Sequence, residues 1–370
     1  MKIGLVILAA GYSERMGALK ALLPIGGENA VLRAVALGRH EKIHCITVVT
    51  GYRREVVEAE VLKRNAKNVR HIYNAKFEDG MFSSVKAGIH SLPSDLNGFF
   101  LLPVDTCAVT EKTIGKLITA FILGNGESIV YPAFEGHRGH PPLIPYAFAA
   151  DIKGYSGDGG LRDCLAQFPA EEVDTDDRGV LLDMDTPEEY AALLRHLGLP
   201  TYPDDTACAL LLHKYETPEN VITHGRQVEA VTLNIARQLK PKGVALDAGL
   251  LSAACRLHDM VRLQPAHEDA AAALLLQAGY PDAATVVKAH MDLPGGYSGV
   301  PNEAAVLFLS DKLCRNGVVA PLEKTLDDVR KRYTEDPEAL ARAEKRLKTA
   351  MDIRDSLKSQ YGIVLDALYS

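Results

Sequence analysis

The chain has 370 residues, 47% hydrophobic and 24% charged, a balance that excludes a disordered, collagenous or disulfide-stapled protein and favours two domains. Its 41 Lys and Arg against 48 Asp and Glu give a formal charge of −7, and its 6% of aromatics include no Trp. No general attraction to nucleic acid or anionic lipid follows, so neither a nucleic-acid nor a membrane partner is expected, although a local basic pocket can still take phosphates.

The opening MKIGLVILAAG imitates a secretory signal, but Glu14, Arg15 and Lys20 follow at once. Ile3 to Leu8 therefore reads as a buried parallel strand. Ile43 to Val49 and Phe99 to Val104 read the same way, with helical periodicity over Arg54 to Arg64 and Thr110 to Leu123 between and after them. This alternation predicts βαβ units around a Rossmann-like, mostly parallel α/β sheet. After Pro187, EEYAALLRHLG reads as a closing helix that stops at Gly198, and LPTYPDDTA (199–207) as a linker. Beyond it, Ala/Leu-rich patterns such as ALDAGLLSAACRLH predict an all-helical domain. Pro337 to Tyr361 reads as one amphipathic helix that covers that domain or meets another copy. The expected domains are 1–198 and 206–370. Six scattered cysteines without a CxxC pair, and no apolar run near the ~20 residues of a membrane span, favour a cytoplasmic chain with buried thiols.

The stretch LAAGYSERMGALKALLP (8–24) follows the first strand, where an open α/β sheet places a phosphate-binding turn. Leu8, Ala9, Ala10 and Gly11 let backbone N–H groups approach an anion, and Arg15 and Lys20 supply charge for a triphosphate. A generic strand-to-helix turn is the bland alternative, and the spacing is not the Walker pattern of a P-loop.

These residues resemble the signature of the MobA-like nucleotidyltransferases that load molybdopterin with a nucleotide. NAKFEDGMFSSVKAGI (74–89), LLPVDTCAV (101–109), GHRGHPPLI (136–144), and GDGGLRDCL with DMDTPEEY (157–190) are similar, in order, to four further family segments. The resemblance implies transfer of a nucleotidyl group to a terminal pterin phosphate with loss of pyrophosphate. It implies Mg²⁺ on Asp105 and Asp185, each after a strand-like run, with Asp183 a rival to Asp185 and a helix N-cap the alternative role. Arg15 and Lys20 would hold the phosphates, with Gly80, Ser83, Ser84 and His140 on the acceptor side; His140 reads equally as a structural loop residue. Ala10 and Leu19 look like the cytidylyl branch, so CTP is the expected nucleotide and a molybdoenzyme the eventual recipient. Cys107 stands where the family usually has proline, which can reshape the metal loop or the acceptor pocket. A sugar or alcohol phosphate is the alternative acceptor.

The helical half carries His224, the His258–Asp259 pair and Asp311, imidazoles and carboxylates suited to transition metals. Their order resembles the HD phosphohydrolase superfamily over roughly 206–335. The resemblance implies one or two divalent ions (Mn, Fe, Mg or similar) and phosphoester hydrolysis. His267 and His290 read equally as second-metal ligands or surface residues. The usual lysine after HD-x-G is missing, leaving Arg262 to replace its charge. The alternative is a non-catalytic metal or nucleotide sensor.

Overall fold

The Ile3–Ala9 strand is buried at every position, as its unbroken apolar run requires of a strand covered on both faces. It pairs in parallel with Ile43–Thr50 on one side and Gly98–Pro103 on the other. The computed structural model describes residues 1–63, 68–157, 159–315 and 317–366; Arg64, named above, and Asp158, the second residue of GDGGLRDCL, lie outside them. By contacts the chain divides into Met1–Leu199 and Pro200–Ser370.

In the first unit the sheet runs Ala170–Asp174, Ile129–Phe134, Leu143–Pro145, Gly98–Pro103, Ile3–Ala9, Ile43–Thr50, Val69–Tyr73. All of these pairings are parallel except those of Leu143–Pro145, which runs antiparallel to both neighbours. The segment GHRGHPPLI (136–144) carries no strand pattern in its sequence. Its prolines hide a short strand whose residues are fully buried. Helix Met81–Ser91 packs Val85 and Ile89 onto Val6, Leu8, Phe99 and Leu101, and this apolar layer fixes where the strands end. Because the three central strands are parallel, Ala9, Thr50 and Pro103 all deliver their loops to one edge of the sheet.

Among the described residues, the second unit has no strands apart from the two-residue pair Cys314–Arg315 with Val318–Val319, and is otherwise built of helices. Its centre is Glu219–Leu239, buried at Val221, Gly225, Val228, Val231, Thr232 and Ile235, the spacing of one helical face. Residues 200–204, read above as linker, belong to this unit. Thr201 Oγ1 donates to Asp282 at 2.6 Å, and the Asp282 N–H donates to the Thr201 carbonyl. Pro337–Tyr361 is one helix and covers its own unit, burying Leu347, Ala350, Ile353 and Leu357 against Glu303–Leu313 and Leu322–Arg332. No helix among the described residues is long and apolar enough to cross a membrane.

Candidate functional site

Leaving its strand through Ala10 and Gly11, the chain does not enter an α-helix, contrary to a strand-to-helix turn. It forms two short 3₁₀ turns, Glu14–Met16 and Lys20–Leu22, and the first α-helix begins only at Ala30. An anion at this loop would meet N–H groups and cations without a helix macrodipole. Ser13 and Gly17 adopt the left-handed conformation around the first turn, and buried Met16 anchors it. Ser13 Oγ accepts from the Lys20 N–H at 3.2 Å, tying the loop's two halves together. The Ala10 carbonyl accepts from Tyr52 N–H at 3.1 Å. A Cβ on neighbouring Gly51 would lie 2.6 Å from that carbonyl oxygen, so the close approach requires glycine.

Lys20 sits between two carboxylates. Its Nζ donates to Asp105 Oδ2 at 2.8 Å and to Asp185 Oδ1, while Arg15 Nη2 donates to Asp185 Oδ2. The Lys20 side chain is 12% exposed. Burial alone would lower its pKa, but the Asp105 charge and the bonds to both carboxylates raise it, so the ammonium stays protonated. The bond from Lys20, against partial burial, holds Asp185 below the usual carboxylate range. Asp183 is pushed the other way, by burial and then by the charges of Glu189, Asp185 and Asp105. Arg15, Lys20, Asp105 and Asp185 thus meet at one point, and Asp185 rather than Asp183 receives the cations.

Neither of these aspartates caps a helix. Thr110 and Thr186 cap the helices that follow them, the latter in a capping box with Glu189. Asp185 follows the 3₁₀ turn Arg178–Leu181 instead of the strand-like run expected from the sequence. That turn is pinned by Asp177, which accepts from Thr110 N–H, Thr110 Oγ1, Thr113 Oγ1 and Gly179 N–H. The loops carrying Asp105 and Asp185 are thereby cross-linked through a carboxylate the motifs did not single out. Cys107 is fully buried, and burial pushes its thiol up to about 12, so it faces the interior. Its carbonyl accepts from Arg33 Nε at 2.8 Å, which fixes the loop where proline was expected.

On the expected acceptor side, Gly80 opens the Met81–Ser91 helix with φ 92°. Ser83 Oγ donates to the Gly80 and Lys76 carbonyls, and buried Ser84 accepts from Asn74 Nδ2 at 3.0 Å. Asn74, not anticipated from the sequence, organises both serines. His140 is exposed, and its N–H donates to the Val180 carbonyl at 2.9 Å.

In the second unit six side chains converge. Gly225 lets Glu219–Leu239 approach the Ala248–Leu257 helix so closely that a Cβ would sit 3.0 Å from the Cys255 carbonyl, which brings His224 beside His258. His224 Nε2 lies 3.0 Å from Asp311 Oδ1, and His258 Nε2 lies 3.5 Å from both Asp259 and Asp311. Asp259 Oδ1 is 3.1 Å from His267 Nε2 and 3.6 Å from His290 Nε2. His258 Nδ1 and His290 Nδ1 face the carbonyls of Cys255 and Val287 at 2.8 and 2.6 Å, which orients each Nε2 lone pair inward. Buried His258 Nε2 has no hydrogen-bond partner. Two ligand groups result, His224–His258–Asp259 and Asp259–His267–His290, sharing Asp259. Burial works against ionisation of Asp259, but the bonds from His267 and His290 hold its carboxyl well below the usual range. Imidazole and carboxylate donors of this kind are suited to holding divalent metal ions, which these residues would ligate. His290 is 1% exposed, so the surface reading of the two extra histidines fails for it.

Residues 5–174 match the MobA-like NTP transferase domain, and residues 221–316 match the HD domain. The chain carries both of these domains. It is 26% identical over 188 residues to the molybdenum cofactor cytidylyltransferase of Escherichia coli (strain K12), a match spanning 51% of this chain and 93% of that protein. The purine catabolism protein PucB of Bacillus subtilis (strain 168) is 28% identical over 201 residues, spanning 52% and 96%. Among solved structures, Rv0371c from Mycobacterium tuberculosis H37Rv is 22% identical, with a TM-score of 0.45 over 53% of this chain and 98% of that one.

Two basic residues complete the HD domain's cluster. Arg262 Nη1 donates to Asp259 Oδ2. Lys312, not anticipated from the sequence, donates to Asp311 Oδ2 at 2.9 Å and to the His290 carbonyl at 2.5 Å. Its position beside Asp311 in LSDKL was the available signal.

Proposed function

We propose that the MobA-like domain transfers CMP from CTP to the terminal phosphate of a molybdopterin-type acceptor. The observation that supports this most directly is the meeting of Lys20, Arg15, Asp105 and Asp185 at the carboxyl edge of the sheet. Asp105 and Asp185 would hold a divalent cation such as Mg²⁺, whose charge offsets that of the triphosphate. Lys20 and Arg15 bind phosphate oxygens beside it, and the N–H groups of Ala10 and Gly11 bound the nucleotide. An oxygen of the acceptor phosphate attacks the α-phosphorus, the bond to the β-phosphate breaks, and pyrophosphate leaves. Positioning and charge neutralisation supply the catalysis. Gly80 and His140 face the acceptor, while Ser83, Ser84 and Asn74 shape that wall. The cytidylyltransferase relative and the Ala10 and Leu19 residues support the nucleotide and acceptor named. Asp105→Ala is expected to lower transfer by about 10²–10³-fold; full activity in this variant would refute the assignment.

The HD domain is proposed to be a metal-dependent phosphohydrolase. What supports this is the pair of ligand groups sharing Asp259, with an unpartnered buried His258 Nε2. Bound ions there would supply a hydroxide nucleophile at neutral pH. Asp259→Ala is expected to lose both metal content and phosphatase activity against a nucleotide panel. A parent chain that binds metal and nucleotide yet hydrolyses none of the panel would make this domain a sensor.

A further inference from the structure

A cavity of about 880 Å³ opens beside the HD cluster, with His224 and Asp311 on its wall. Five cations line it, Arg262, Lys312, Arg315, Arg332 and Arg346, against two acids, Asp311 and Glu219. In a chain of net charge −7 this is a concentrated reversal of sign. Three of the cations already have carboxylate partners: Arg262 with Asp259, Lys312 with Asp311, and Arg346 with Asp292. Arg315 and Arg332 have none among the described residues. Both guanidiniums line the same cavity, and guanidinium geometry matches phosphate and carboxylate. Part of this wall comes from the helices Leu322–Arg332 and Pro337–Tyr361, beyond residue 316, where the HD match ends. Val221, Met291, Val329 and Leu347 add apolar surface suited to an organic body.

We propose that the cavity recognises a phosphate ester carrying a second anionic group. The scissile phosphate lies at the histidine–aspartate cluster, and the second anion lies between Arg315 and Arg332. This rests on the phosphohydrolase reading for the position of the first phosphate. The second contact is a property of Arg315 and Arg332 and can be measured without turnover.

The chain has no Trp, so Tyr333→Trp, on the cavity wall beside Arg332, introduces a fluorophore that reports this cavity alone. The full-length Tyr333→Trp protein, loaded with Mn²⁺, is titrated with two pairs of probes and read immediately after mixing. The pairs are adenosine 5′-monophosphate with adenosine 3′,5′-bisphosphate, and fructose 6-phosphate with fructose 1,6-bisphosphate. In at least one pair the bisphosphate is expected to bind about tenfold more tightly or better, the equivalent of about 1.4 kcal/mol. Adding Arg315→Gln and Arg332→Gln should reduce that preference to within about twofold. Equal affinities in both pairs, a preference that survives the double substitution, or no response to any probe would overturn the proposal. Phosphate release from the same probes is followed separately. Preference without release leaves the inference standing and removes the hydrolase reading, whereas release without preference does the reverse.

Discussion

Lys20→Met removes the ammonium that bridges Asp105 and Asp185 while keeping most of the side chain's apolar stem. Two charge-assisted hydrogen bonds are lost, each worth about 1.5–3 kcal/mol when well protected. The carboxylates are 21% and 28% exposed, so solvent weakens both and the expected cost in chelator falls to about 2–4 kcal/mol. At roughly 2–4 °C per kcal/mol for a unit of this size, the amino-terminal transition should drop by roughly 4–16 °C. Mg²⁺ should then restore more stability to the variant than it adds to the parent, because Asp105, left without its lysine, and Asp185, left with Arg15 alone, take up the cation without displacing a lysine. At about a hundredfold excess over its dissociation constant, the ion adds about 2.7 kcal/mol. Scanning calorimetry of the full chain, in chelator and in Mg²⁺, measures both effects; the transition that Asp259→Ala leaves unmoved belongs to the amino-terminal unit. An unchanged transition in chelator, or equal Mg²⁺ shifts in variant and parent, would refute the idea that Asp105 and Asp185 form one cation site.

Gly51→Ala places a Cβ against the Ala10 carbonyl and 2.8 Å from Phe77 Cβ. The backbone must yield, so about 1–3 kcal/mol of stability should be lost and the KM for nucleotide should rise; a variant with parental KM would contradict this view of the loop. Native thiol titration at pH 8 should detect Cys45 only, since Cys107, Cys164, Cys208, Cys255 and Cys314 are buried. All six should react after unfolding, and more than one fast native thiol would contradict the packing.

The parallel strands were legible because a strand covered on both faces is a largely apolar run rich in β-branched residues, as in IGLVILA and the CITVVT end of IHCITVVT. The antiparallel strand Leu143–Pro145 was not, because only three residues, one of them proline, carry it. Arg15, Lys20, Asp105 and Asp185 were each legible through ordered motifs. Their pairing was not, since Lys20 meets Asp105 across 85 residues and Asp185 across 165. Asp177 and Asn74 escaped notice for a related reason: each works through hydrogen bonds to other loops and has no local pattern. In the HD domain the ligand order named His224, His258, Asp259 and Asp311. Only the packing of Glu219–Leu239 at Gly225 and the Nδ1 contacts show how the imidazoles are aimed.

Pyrophosphate release measured with CTP, GTP and ATP, each with and without molybdopterin, bears most directly on the proposed transfer reaction. Release that needs both CTP and molybdopterin, and disappears in Asp105→Ala, is the expected result. Release that proceeds equally with a sugar phosphate as acceptor, or that favours GTP or ATP, would contradict it.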